Sequence, residues 1–383
     1  MSDPIPADVA VDPSLARTAR FASVRDRMRE LEVDALLLSL GADLPWLTGY
    51  EAMPLERLTM LVVPADDNAT LVVPELEASR VDHDPRLYAM RPWSEHEQPT
   101  DLVAGLVGRR TRLAVSDRCW ASHLLELERS IPRARWRSAR EVVGPLRAVK
   151  DAQEVAALRA AGKAADAVAE ALQGDEIPLI GRTEADVSTE ISARLRAEGH
   201  DRINFAIVGS GPNSASPHHE PGRRVIGRGE VVVCDFGGSF RLADGVGYCS
   251  DITRTVVTGE PDPEFLELFG VLHFAQAAAV AAAVVGTPCE QVDHAGRELI
   301  TAAGYGKSFI HRIGHGIGIE EHEDPYIVAG NPRPLVAGHA FSVEPGIYLS
   351  GRFGARIEDV VIATEDGPLA CNQAEHFLAV VEA

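Results

Sequence analysis

Residues Pro13 to Glu32 place apolar side chains at Leu15, Phe21, Val24 and Met28 among many basic neighbours, the spacing of an amphipathic helix. Short apolar runs bounded by Gly, Pro, Asp and Asn follow at Ala35–Leu40, Thr59–Val63, Thr70–Val73 and Leu113–Val115. Each reads as a strand, with Asp66-Asp67-Asn68 as a turn between the second and third. Strands interleaved with helices predict a small α/β domain over residues 14–146. An acidic, Pro-containing stretch, residues 1–13, precedes it and reads as a flexible arm.

A boundary is expected near Gly144-Pro145, and the pattern then changes to a helix-rich domain over 150–383. From Lys150 to Gln173, Val155, Leu158, Ala165, Val168 and Leu172 share one helical face. Thr183 with Asp186 forms an N-cap pair for a second helix, whose apolar face is Val187, Ile191 and Leu195 and whose end is marked by Gly199. Two more helical stretches run from Pro263 to Val285 and from Glu290 to Ala303.

This second region repeats itself. Arg228 to Gly237 and Ala337 to Gly346 each contain a Gly, an extended apolar run, an acid six positions after that Gly, and a further Gly two beyond the acid. A second acid follows each: Asp251 after Asp235, and Glu358 after Glu344. A loop bearing Gly and His precedes each, Gly209 to His219 and Gly314 to His322. Two copies in the same order predict a pseudo-symmetric fold with a cleft between its halves.

Composition narrows the function. The chain has 383 residues, 45% hydrophobic and 25% charged, as a soluble protein with a real core would. A formal charge of −20 argues against nucleic acid and against anionic membrane surfaces as partners. No uninterrupted apolar stretch long enough for a membrane span is evident, and the N-terminus lacks the charged and apolar regions of a secretory signal. The five cysteines are scattered, with no CxxC. That excludes a disulfide framework and a zinc knuckle, and a cytoplasmic protein is expected.

The chemistry gathers on the repeat. Asp235 and Glu344 each end an apolar run, where a lone charge is costly to bury. Four converging carboxylates repel one another unless cations sit among them. The alternative is four acids on solvated strand ends. In His311 to Pro325, three glycines around His315 disfavour a helix and let the backbone approach a metal or ligand closely. One imidazole with four carboxylates is a hard, oxygen-rich donor set suited to Mn(II), with Co(II) or Zn(II) tolerated. Bridging carboxylates in such a set hold two ions about 3.5–4 Å apart.

At these residues the chain resembles the pita-bread metallopeptidases: methionine aminopeptidase, aminopeptidase P and prolidase. The matching motifs are Asp235-Phe236-Gly237-Gly238, Tyr248-Cys249-Ser250-Asp251-Ile252-Thr253-Arg254-Thr255, His311 to Pro325, Ser342-Val343-Glu344-Pro345-Gly346 and Arg356-Ile357-Glu358-Asp359. The resemblance covers residues 150–383, and the first region is similar to the creatinase/prolidase-type N-terminal domain. The fold expected is therefore α/β (α+β), a pseudo-symmetric pita-bread catalytic domain with a smaller creatinase/prolidase-like α/β domain.

The resemblance implies two divalent ions per subunit. Asp235 would chelate one, His315 would bind the other with Glu344, and Asp251 and Glu358 would bridge them. Water held between the ions would be the nucleophile and Glu344 the general base. His322 would polarise the scissile carbonyl or steady the tetrahedral intermediate. His218, preferred to the adjacent His219, would be the substrate-side catalytic histidine. His311 would line the pocket, or be structural.

Two features depart from the family. Fifteen residues separate Asp235 from Asp251, an excess centred on Arg241 to Gly245 that makes Asp244 a rival ligand. Asp235 is preferred, since it ends the strand that mirrors that of Glu344. Tyr326 stands where some prolidases carry an Arg that grips the substrate carboxylate. Arg356 is the expected substitute, its alternative being an ion pair with a neighbouring acid. Trp46 and Asp43 lie in a predicted loop, Gly41 to Gly49, either reaching a partner subunit's cleft or placing an ordinary core Trp.

The function expected is di-metal hydrolysis of Xaa-Pro dipeptides by a homodimer acting on short proline-containing peptides. The alternative is aminopeptidase P-like release of the first residue from longer Xaa-Pro peptides. A metal-free creatinase-type hydrolase and a non-catalytic peptide-binding scaffold are disfavoured by the complete ligand set.

Overall fold

The computed structural model describes residues 13–241 and 246–382. The expected arm therefore lies almost wholly outside the described residues, and so does Asp244. The chain forms two compact units that divide after Arg147. Gly144 and Pro145 sit inside a short helix, Arg140–Ala148.

The first unit is built on a six-stranded mixed sheet. In spatial order its strands are Tyr88–Trp93, Ala69–Pro74, Met60–Pro64, Ala35–Leu38, Arg112–Val115 and Arg135–Ser138. The middle strands are apolar on both faces because both are covered. Leu37, Met60 and Val62 pack with Val103 and Val107 of the helix Pro99–Val107 and with Leu127 of the helix Ala121–Ser130. The two edge strands are absent from the sequence expectation, because they alternate in burial and carry Arg91 and Pro92, or Arg135 and Arg137. Gly41 to Gly49 is not a plain loop: Trp46 lies in a short helix, Asp43–Thr48, only 4% exposed, with Arg20 over its ring. Of its two readings the core Trp is the one this placement supports, and Asp43 pairs with Arg147 at 2.7 Å.

The second unit shows the repeat as two half-domains, each a sheet under two helices. In the first, strands Ala379–Val381, Ile252–Thr258, Val231–Arg241 and His200–Ser210 lie side by side in that order. Helices Ala152–Gln173 and Glu184–Ala197 cover them through Val168, Leu172, Val187 and Ile191. Asp151 and Glu154 close a capping box on the first helix, and the Thr183 side chain caps the second through Asp186 N. In the other half, Glu323–Ile327, Gly314–Gly316, Ala340–Val343, Asp359–Thr364 and Gly367–Ala370 form the sheet. Helices Pro263–Ala282 and Cys289–Ala302 share its core. The first of these has the length and apolar composition of a membrane span. Its Phe265, Leu268, Leu272, Ala275 and Ala279, however, are buried in this core.

The repeat aligns the acids. Asp235 lies within a strand opposite Thr253, and Glu344 follows directly on Val343, which lies opposite Asp359. Gly229 and Gly338, six positions before the two acids, both turn the chain with positive φ, 80° and 92°. The extra residues after Asp235 lengthen one hairpin: Ser239 pairs with Cys249 and Arg241 with Gly247. A main-chain bridge between Thr253 and Glu358 joins the two halves, with Glu358 N donating to Thr253 O at 3.2 Å.

Candidate functional site

The sheets of the second unit bring the four acids and His315 to the wall of one cavity of about 630 Å³. His218, His311 and His322 also line it. The backbone explains the glycines around His315. A Cβ on Gly314 would fall 1.8 Å from Ser342 O, and one on Gly316 would fall 2.3 Å from Asp324 O. Only glycine lets the neighbouring strands close on His315 from both sides.

Asp251, His315 and Glu358 each offer one ligand atom, and these atoms lie within 4.8 Å of one another. His315 Nε2 is 3.2 Å from Glu344 Oε1 and 3.7 Å from Asp251 Oδ2. Its Nδ1 lies 3.2 Å from Gly316 O, an acceptor only, so Nδ1 carries a proton. Nε2 then faces carboxylate oxygens, which requires a proton or a cation between them. On the other side, Asp235 Oδ2 accepts from Arg356 Nη2 at 2.5 Å, while its buried Oδ1 accepts no hydrogen bond among the described residues.

The electrostatics are those of crowded, desolvated acids. Burial pushes Asp251 well above the ordinary carboxylate range, and Glu358, Asp235 and Glu344 push it further. Glu358 is raised well above its ordinary value by burial, then by Glu344 and Asp235. Asp235 is raised by burial against the pull of Arg356. Glu344 goes the other way. Burial acts upward, but His315, His311 and Arg356 together hold it at about 2. An unpartnered buried oxygen, an imidazole nitrogen aimed at acids, and four carboxylates in one cavity form a donor set that fits divalent cations.

Residues that sequence reasoning missed hold these ligands in place. Thr253 Oγ1 donates to Glu358 Oε2 at 2.7 Å and accepts from Arg356 Nε at 3.0 Å. Ser342 Oγ accepts from His315 N and donates to Glu344 Oε1, both at 3.1 Å. Tyr348 Oη accepts from Arg356 Nη1 at 2.8 Å and lies 3.0 Å from His311 Nε2. The signal was present: Thr253 stands two residues after Asp251 and Ser342 two before Glu344, each in a strand whose end abuts the acid.

The histidines divide by environment. His311 Nδ1 meets Arg312 O at 2.7 Å, and burial lowers its pKa, which suits a neutral ring holding Tyr348. His322 is exposed on its outer side, and where its ring meets that of His315, centroids 3.8 Å apart, desolvation and then His315 and Arg312 push its pKa below the ordinary imidazole value. His218 faces the cavity, whereas His219 turns to Glu184 at 2.8 Å. The expectation for Arg356 needs correcting. It is 2% exposed and spent on Asp235, Thr253 and Tyr348, so it braces a ligand and has no free fork for a substrate carboxylate. The cavity holds another cation, Arg312, half-buried, with its guanidinium 4.5 Å over the Tyr326 ring. Among the described residues Arg312 has no carboxylate partner.

Residues 156–365 match the family described as Metallopeptidase family M24, and residues 20–149 match the Creatinase/Prolidase N-terminal domain. A probable dipeptidase PepE of Mycobacterium tuberculosis is 43% identical over 353 residues, 90% of this chain and 92% of that protein. The structure of dipeptidase PepE from Mycobacterium ulcerans is similar with a TM-score of 0.90 at 41% identity, covering 97% of this chain and 100% of that one. A prolidase from Thermococcus sibiricus gives a TM-score of 0.88 at 33% identity, over 94% of this chain and 98% of its own.

Proposed function

Because this chain belongs to metallopeptidase family M24, we propose that it hydrolyses Xaa-Pro dipeptides with two divalent cations held by Asp235, Asp251, His315, Glu344 and Glu358. Mn(II) suits this oxygen-rich set best, with Co(II) or Zn(II) as substitutes. Bound ions would supply Lewis acidity and a water acidic enough to attack at neutral pH. Glu344, ionised across the neutral range, takes the proton of the attacking water. His322, whose pKa is pushed below the ordinary imidazole value, offers an N–H to the carbonyl oxygen as charge develops there. His218, which lines the same cavity, steadies the substrate. The observation that carries this reading is the convergence of three buried carboxylates and the partly buried Glu344 on one imidazole, with Asp235 Oδ1 without a hydrogen-bond partner among the described residues.

Proline fits a site of this kind. Its nitrogen has no hydrogen to donate and its ring fixes the backbone, so recognition through the carbonyl and the chain ends replaces main-chain pairing. Arg312 is the cation in this cavity able to meet a terminal carboxylate, which favours dipeptides over longer peptides. Peptidase activity should vanish with a chelator and return with Mn(II); activity that survives exhaustive chelation rejects the di-metal reading. Comparing kcat/KM on Xaa-Pro with that on Xaa-Pro-peptides decides between dipeptidase and aminopeptidase P-like action. Arg312→Ala should cost about tenfold on the dipeptide, mostly in KM, and little on a peptide amidated at its C-terminus.

A further inference from the structure

The residue that opens the helix Glu184–Ala197 points inward. The Glu184 side chain is wholly buried, a placement that costs several kcal/mol or so for a carboxylate unless donors replace its water. Oε1 accepts from Ser210 N at 2.8 Å, Ser210 Oγ at 2.7 Å and Asn213 Nδ2 at 3.0 Å. Oε2 accepts from His219 Nε2 at 2.8 Å and, more distantly, from Gly222 N at 3.4 Å. These donors outweigh burial and hold Glu184 below its ordinary value, so it is a charged acceptor.

The donors are not scattered over the molecule. All come from the end of the strand His200–Ser210 and the connection that follows it. Ser210 and Asn213 stand before His218 in the chain, and His219 and Gly222 stand after it. One carboxylate thus pins both flanks of the segment whose Ser216, Pro217 and His218 line the cavity. Glu184 does not itself line that cavity. Arg224 closes the base of the same connection, donating to Ser210 Oγ at 2.7 Å while paired with Glu230.

We infer that Glu184 and His219 form a positioning clamp for the catalytic reaction, fixing His218 against the ligand cluster through the 210–222 connection. The inference rests on the peptidase reading of His218 given above. His219, neighbour to the catalytic histidine, works away from the substrate: it anchors the backbone from which His218 projects. Loss of a supporting hydrogen bond around a metallo-site costs about 10–100-fold, and small misplacements of a reacting group cost as much.

The test combines hydrogen exchange with a double-mutant cycle on the Mn(II)-loaded enzyme. His219→Leu keeps the bulk of the side chain and removes the donor. It should raise amide exchange over residues 211–222 alone and lower kcat/KM on an Xaa-Pro dipeptide about 10–100-fold. His219→Gln, which retains an N–H, should recover most of that loss, and Glu184→Gln should fall in the same direction as His219→Leu. In a His218→Ala background, His219→Leu should cost less than about twofold more, because the clamp then has nothing left to aim. Unchanged exchange in His219→Leu overturns the clamp. Raised exchange with fully additive losses overturns its action through His218. If His218→Ala alone leaves turnover intact, the catalytic reading of His218 fails instead, a result distinct from either of these.

Discussion

The two units use similar apolar strands for opposite ends. In the first, Ala35–Leu38 and Met60–Pro64 are buried along their whole length, and charged pairs stand at their rim, Asp34 with Arg112 at 2.7 Å and Asp66 with Arg110 at 2.5 Å. In the second, strands of equal burial carry Asp235 and lead into Glu344, and Asp251 and Glu358 stand directly before the strands that pair with them, Ile252–Thr258 and Asp359–Thr364. Apolar runs stabilise the first unit by removing hydrocarbon from water. In the second unit they also strip water from carboxylates, creating a local instability that cations relieve. The same hydrophobic material thus makes a scaffold in one place and a site in the other.

The most severe way to break this contrast is at Glu344. Glu344→Ala should lower turnover by about a thousandfold or more while leaving the circular dichroism spectrum and the first unit intact; a variant with near-normal kcat would refute the mechanism. Next in size is a pair of stability measurements. Leu37→Ala removes side-chain bulk from a fully buried position and should cost the first unit about 2–5 kcal/mol. Asp251→Asn should do the reverse in chelated protein, raising the unfolding midpoint, because it removes one of the mutually repelling buried charges. If Asp251→Asn destabilises the ion-free protein as Leu37→Ala does, the acids are not in conflict and the contrast fails.

The smallest effect belongs to the rim. Arg112 holds Asp34 down to about 2, against a value near 3.9 in an unfolded chain. A depressed carboxyl contributes stability that is present above the unfolded value and lost as pH falls through the folded one. Wild-type protein should therefore lose stability between about pH 4 and pH 2 more steeply than Asp34→Asn, by about 1 kcal/mol at most, since the pair is solvent-screened. Acid titrations of the two proteins, with identical slopes as the contrary outcome, sharpen where charge matters and where it does not.

Much of this was legible in the chain itself, for reasons that differ by residue. The central strands announced themselves because both of their faces are buried, so apolar runs alone mark them. The edge strands Tyr88–Trp93 and Arg135–Ser138 did not, since an edge tolerates the proline and arginines that argue against a strand. Asp235 and Glu344 were legible because the repeat sets each six positions after a glycine, Asp251 and Glu358 because a second acid follows each of them, and His315 because glycines flank it. Arg356 was misjudged because spacing cannot tell a cation facing substrate from one facing a carboxylate 2.5 Å away. The segment around Trp46 was read as a loop for a related reason: flanking glycines suggest one, yet the intervening residues wind into a buried turn of helix.

The seam between Thr253 and Glu358 has a consequence for traffic. Beside that rung, Arg254 donates to Glu358 O at 2.7 Å, and Thr255 Oγ1 donates to Arg356 O at 2.8 Å. A molecule stitched along its midline cannot open like a book to admit a peptide or to let its fragments go. Entry and exit must pass the outer lip, where Ile310 is two-thirds exposed beside the solvent-facing His322.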